Sequence, residues 1–190
     1  MPERPLKPSE SKYVPNVRQL LELVGENPKR EGLVRTPERF LRSLRYLTSG
    51  YGESVEGIVN GALFEEPFSE MVIVRNIEFY SLCEHHLVPF FGKCHVGYLP
   101  NGRIIGLSKI PRLVNHFARR LQVQERLTAE ISQCLMDTLA PHGVGVVVEA
   151  QHLCMMMRGV EKQGANTLTS SLLGQFQSGS TRAEFFNLIK

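Results

Sequence analysis

Cys83-Glu84-His85-His86 sets a thiol and an imidazole three residues apart, and His152-Leu153-Cys154 offers a second such pair far downstream. A spacing of three brings both side chains to one side of a turn or short helix, and sulfur with imidazole nitrogen is a donor set that suits tetrahedral zinc. On a strand, alternation would point His152 and Cys154 to the same face, where they can meet the first pair. A third protein ligand is then available, while spacing leaves His85 and His86 as equal candidates. Three protein ligands leave one tetrahedral position for water, the pattern of a catalytic zinc, whose bound water has a pKa of about 7 and supplies hydroxide at neutral pH. The plainer alternative is that the cysteines are small buried apolar residues and the histidines satisfied core groups. A Cys83–Cys154 disulfide is the other alternative, disfavoured in a cytosolic chain.

The elements that must carry these residues can be read from periodicity. Val17, Leu20, Leu21 and Val24 share a face at helical spacing, predicting a helix over about Val14 to Val24 that Gly25, Asn27 and Pro28 stop. Thr36-Pro37-Glu38-Arg39 opens a second helix, with Thr36 as N-cap and Arg39 in the first turn, running through Phe40, Leu41, Leu44 and Leu47. Met71 to Ile77 is rich in β-branched residues, and Lys93 to Leu99 and Arg103 to Leu107 flank Pro100-Asn101-Gly102, which predicts a hairpin. A helical pattern follows from Ser108 through Phe117, then a second holds Leu127, Ile131, Leu135 and Leu139 on one stripe. Gly145 to Met157 is predicted as one strand, with His152 and Cys154 at its far end. The order of elements predicts an α+β fold: N-terminal helices and an antiparallel sheet covered by a helical pair.

Length fits one domain with a real core, taken as residues 14–190 behind a flexible proline-rich leader at 1–13. A net charge of +3 allows a local anion site but is too mild to argue for nucleic acid. No apolar run approaches the roughly 18 to 20 residues of a membrane span, and no signal peptide is evident, so a cytoplasmic location is expected. Four cysteines are too few for a disulfide-stapled scaffold.

Four motifs in order, Ser81-Leu82-Cys83-Glu84-His85-His86, Ile105-Gly106-Leu107-Ser108-Lys109, Gln122-Val123-Gln124-Glu125-Arg126-Leu127-Thr128 and His152-Leu153-Cys154, resemble those of type I GTP cyclohydrolases. The similarity runs from about Val17 to the C-terminus. The resemblance implies one zinc per subunit on Cys83, His86 and Cys154, with His85 and His152 moving protons. It implies hydration of GTP at guanine C8, loss of that carbon as formate, and rearrangement to 7,8-dihydroneopterin triphosphate, the entry to folate or biopterin synthesis. Glu125, supported by Gln124, would bind the guanine edge, and Arg39, Ser108, Lys109, Arg112 and Arg158 the triphosphate. It further implies a tunnelling-fold subunit assembling into a multi-subunit barrel, a homodecamer of two pentamers with active sites at subunit boundaries. Other functions weighed against it are a related tunnelling-fold enzyme acting on a pterin or deazapurine, and a non-catalytic zinc-stabilised nucleotide-binding module.

Overall fold

A computed structural model of the chain describes residues 5–190, so the first four residues of the expected leader lie outside the described residues. The chain divides into two compact units, Met1–Thr48 and Ser49–Lys190. The first holds α1 (Pro8–Ser11), α2 (Val14–Leu23) and α3 (Thr36–Leu47). Each has proline in its first two positions, where the missing N–H has no helical partner to lose. The single turn of α1 falls within the leader segment, and Glu10 accepts from Arg45 of α3 at 2.8 Å. Thr36 is the first residue of α3 and Arg35 takes the cap position, one residue earlier than the sequence predicts. The Thr36 hydroxyl donates backwards to the Gly32 carbonyl at 3.4 Å instead of capping. Of the apolar stripe on α2, Val17 is buried while Leu20 and Val24 are 53% and 72% exposed.

The second unit begins with a 3-10 turn at Ser49–Gly52 and α4 (Val55–Val59), whose cap Ser54 accepts from the Gly57 amide. Then come β1 (Leu63–Glu65), β2 (Val72–Cys83), β3 (Pro89–Leu99), β4 (Arg103–Ile105), α5 (Lys109–Ala118), β5 (Leu121–Gln122) and α6 (Gln124–Leu139). The chain closes with β6 (Gly143–His152), α7 (Leu153–Met156), β7 (Thr167–Gly174) and α8 (Gly179–Leu188). Five strands form one sheet in the order β5-β2-β3-β6-β7, antiparallel except for the parallel β2–β5 pair. The expected hairpin at Pro100-Asn101-Gly102 does not form. Both edges of β3 are taken by β2 and β6, so β4 pairs with β1 in a separate two-stranded sheet.

Helices α5 and α6 cover one face of the sheet, as the stripes predict: Leu113, Val114, Leu127, Ile131 and Leu135 pack with Phe79, Val96, Val146 and Val148 in one core. Each such buried side chain contributes about 1.5–3 kcal/mol of transfer free energy. The alternate residue Val147 faces the other way, onto Phe176 in the 3-10 turn after β7 and Phe185 of α8, so the sheet is also covered locally on its second face. Gly145 permits that approach, because a Cβ there would sit 2.4 Å from the Phe176 ring. Among the described residues no helix is long and apolar enough to cross a membrane.

The strand expected to reach Met157 stops at His152, and α7 follows directly. The β-branched run ends at Val148, and Leu153-Cys154-Met155-Met156 is composed largely of good helix formers. This switch from strand to helix sets the geometry of the site.

Candidate active site

Several chain segments end together at one end of the large sheet. Cys83 is the last residue of β2, beside Gln122 of the parallel strand β5, and the Glu84 amide donates to the Gln122 carbonyl at 3.0 Å. Because α6 starts at Gln124, this short parallel pair holds the beginning of α6 against the Cys83 turn. His152 ends β6 opposite Phe90 at the start of β3, and the two rings stack at 4.7 Å with planes 1° apart.

After Cys83 the chain turns sharply, the Cys83 carbonyl accepting from the amides of His86 and Leu87 at 3.3 and 2.8 Å. Leu87 sits at φ 55°, a left-handed conformation that costs a non-glycine residue on the order of 1 kcal/mol. The turn brings His86 Nδ1 to 3.6 Å from Cys83 Sγ. Cys154 completes the group, and one donor atom from each of Cys83, His86 and Cys154 lies within 4.8 Å of the others. Of the two adjacent histidines, His86 is the one that joins. Cys154 arrives from the turn of α7, so strand alternation, the sequence argument for its direction, does not apply.

The donor set fits zinc. Zn–S near 2.3 Å and Zn–N near 2.0 Å at tetrahedral angles place sulfur and nitrogen about 3.5 Å apart, close to the Cys83–His86 separation of 3.6 Å. All four cysteines are free thiols, so no disulfide occupies the Cys83–Cys154 pair. Burial, and then the neighbouring Cys83, push the Cys154 thiol above its ordinary range, with Arg158 opposing. Two sulfurs so close resist joint ionisation, which a bound cation would relieve.

His85 is 64% exposed, with Nε2 3.8 Å from Glu84 Oε1. Burial pushes the His152 imidazole below its ordinary range, against the opposing charge of Glu125. Gln124 is buried at the first position of α6 and meets His152 Nε2 through Oε1 at 2.7 Å. Glu125, next along the helix, is exposed. Arg158 is exposed just beyond α7. Three of the remaining expected phosphate ligands lie at or near the start of α5. Ser108 takes the N-cap position of α5 without a side-chain cap bond, Lys109 Nζ donates to the Ile58 carbonyl at 2.9 Å, and Arg112 lines a cavity of about 440 Å³ with Glu53, Ser54 and Arg119. Arg39 belongs to the Met1–Thr48 unit, exposed in the first turn of α3.

The sequence model of GTP cyclohydrolase I matches residues 14–190. The chain belongs to the GTP cyclohydrolase I family. A GTP cyclohydrolase 1 from Porphyromonas gingivalis is 59% identical over 171 residues, covering 90% of this chain and 89% of that protein. Relatives of the same name from Leptospira biflexa (59% identical, 92% of this chain, 96% of that protein) and Campylobacter jejuni (56% identical, 95% of each) match comparably.

In this GTP cyclohydrolase I chain the structure adds residues that the motifs did not single out. Arg126 donates through Nε to Gln122 Oε1 at 2.9 Å and through its other arm to the Glu84 carboxylate, which faces His85. Phe90 forms the wall behind His152. Arg126 lies inside the Gln-Glu-Arg motif, and its sign opposite Glu84 was the available sequence signal. Nothing local in the sequence pairs Phe90 with His152, because that contact is made by strand register.

Proposed function

We infer that this chain is a zinc-dependent GTP cyclohydrolase I, hydrolysing GTP at guanine C8, releasing that carbon as formate and yielding 7,8-dihydroneopterin triphosphate. The observation that carries this reading is the convergence of Cys83, His86 and Cys154 within 4.8 Å, in a chain that matches the family from residue 14 to 190. Cys83, His86 and Cys154 would hold the zinc, which would supply Lewis-acid chemistry and activate water near neutral pH.

The chain's own groups supply the rest. His85, exposed beside the metal ligands, donates a proton to N7 and so makes C8 more electrophilic. His152, held against Phe90, is the second group that moves a proton. Glu125 accepts from guanine N1–H and the exocyclic amino group, a pattern adenine cannot offer, and losing such partners in a dry site is costly. Gln124 holds the start of α6 in place beneath it. Arg39, Ser108, Lys109, Arg112 and Arg158 bind the triphosphate, guanidinium groups matching phosphate oxygens in pairs. Their distribution along the chain suits a homodecamer of two pentamers, in which a site at a subunit boundary draws on more than one copy. The protein works in the cytoplasm, at the entry to folate or biopterin synthesis.

Two substitutions test the division of labour. Cys154→Ala loses zinc and GTP turnover together, whereas His85→Ala keeps zinc and loses the first hydration step, by elemental analysis and single-turnover assays. Zinc retained at wild-type stoichiometry in Cys154→Ala contradicts the ligand set.

A further inference from the structure

Gln124 is 2% exposed, and its side-chain amide has only one orientation open to it. Nε2 lies 3.0 Å from the Val148 carbonyl and 2.9 Å from the Thr167 carbonyl, and carbonyls only accept, so both must face the NH₂ group. A third acceptor, Thr169 Oγ1, lies at 3.2 Å. The polarity there is also set. Thr128 donates its one hydroxyl proton to the Gln124 backbone carbonyl at 2.7 Å, so it accepts from Thr169 at 2.6 Å, and Thr169 has a lone pair left for Gln124. Turning the amide over would set its oxygen against two carbonyls, leaving buried groups unpaired at about 1–3 kcal/mol each.

The amide oxygen is thereby left facing His152 Nε2 at 2.7 Å, and an amide oxygen can only accept. The proton of the neutral ring must lie on Nε2. Stacking on Phe90 at 4.7 Å holds the ring plane in the same place. We propose that Gln124 is a positioning residue that locks His152 as its Nε2–H tautomer, so that His152 exchanges a proton with the substrate through Nδ1. This rests on the cyclohydrolase reading for the identity of the substrate, though not for the tautomer. Either protonation state of the ring keeps its Nε2–H on the Gln124 oxygen, so Nδ1 is the nitrogen left for exchange with the substrate.

The test is solid-state nitrogen NMR of the zinc-loaded full chain labelled with ¹⁵N-histidine, near pH 8, with the His152 signal assigned by its disappearance in His152→Gln. The expected result is a protonated Nε2 and an unprotonated Nδ1, and a predominant Nδ1–H signal overturns the proposal. In Gln124→Met the tautomer preference is lost and kcat for GTP falls about 10- to 100-fold, the usual range for partners behind a site residue, while KM moves less than about threefold. Unchanged tautomer and kcat in a folded Gln124→Met also overturn it. Should that variant not fold, the wild-type spectrum decides alone. If the Nε2–H tautomer is found in wild-type protein that turns over no GTP, the tautomer assignment is upheld and the cyclohydrolase reading is what fails.

Discussion

Cys83, His86 and Cys154 meet because a strand end, a tight turn and a one-turn helix each deliver one of them. Spacing supplied the residue types and the pairing of Cys83 with a histidine at one turn. It could not choose between His85 and His86, since that choice depends on how the chain leaves β2, with Leu87 left-handed. Gln124 shows the same limit from the other side. Its place in a motif marked it, but its contact with His152 arises from the packing of α6 on β6 and β7. Glu125, one residue later, is exposed and so free to meet a ligand. A hydrogen bond to a charged group contributes about 1.5–3 kcal/mol, so Glu125→Gln is expected to lower kcat/KM for GTP about 10- to 100-fold while zinc content is kept. Unaltered kcat/KM in Glu125→Gln would remove it from guanine recognition.

Among the elements, the helices were the more legible. α2, α3, α5 and α6 follow their apolar spacing to within a residue or two, because a 3.6-residue period over three or more turns is a local signal. The strands were less so. Whether Arg103 to Ile105 pairs with β3 or β1 depends on which edges are already occupied, and where β6 ends depends on the competition between strand and helix at Leu153. Within α5, His116 carries a cost that its helix face conceals. Its ring is 3% exposed and edge-on to Phe117, Arg120 donates to Nε2, and Nδ1 lies 3.7 Å from Glu53. Burial, and then the Arg120 charge, push its pKa below the ordinary range, with Glu53 and Glu130 opposing. The folded state keeps His116 neutral while the unfolded chain takes up a proton below about pH 6.5. Stability is therefore expected to fall as pH drops below that value, at up to about 1.4 kcal/mol per pH unit until the folded pKa is reached. Urea midpoints between pH 7 and pH 5.5 should fall less in His116→Gln than in the wild type. Equal falls would assign the pH dependence elsewhere.

For the whole molecule, composition limited the possibilities and topology decided among them. A mild net charge and a core of ordinary size excluded several classes without selecting one. The strand β7 forms an edge of the sheet and exposes Leu168, and α2 with its C-cap exposes Leu20, Leu23 and Val24, so among the described residues one copy leaves both an unpaired strand edge and apolar surface. Assembly of several copies, as proposed, would cover such surfaces and bring together cations that one chain holds far apart in sequence. The chemistry proposed for the assembled protein has one distinctive atom, C8 of guanine. Zinc-loaded wild-type protein given GTP labelled with ¹³C at C8 is expected to release the label as formate, one for each pterin formed, with none retained in the pterin. Label kept in the product, or GTP consumed without labelled formate, would contradict the account.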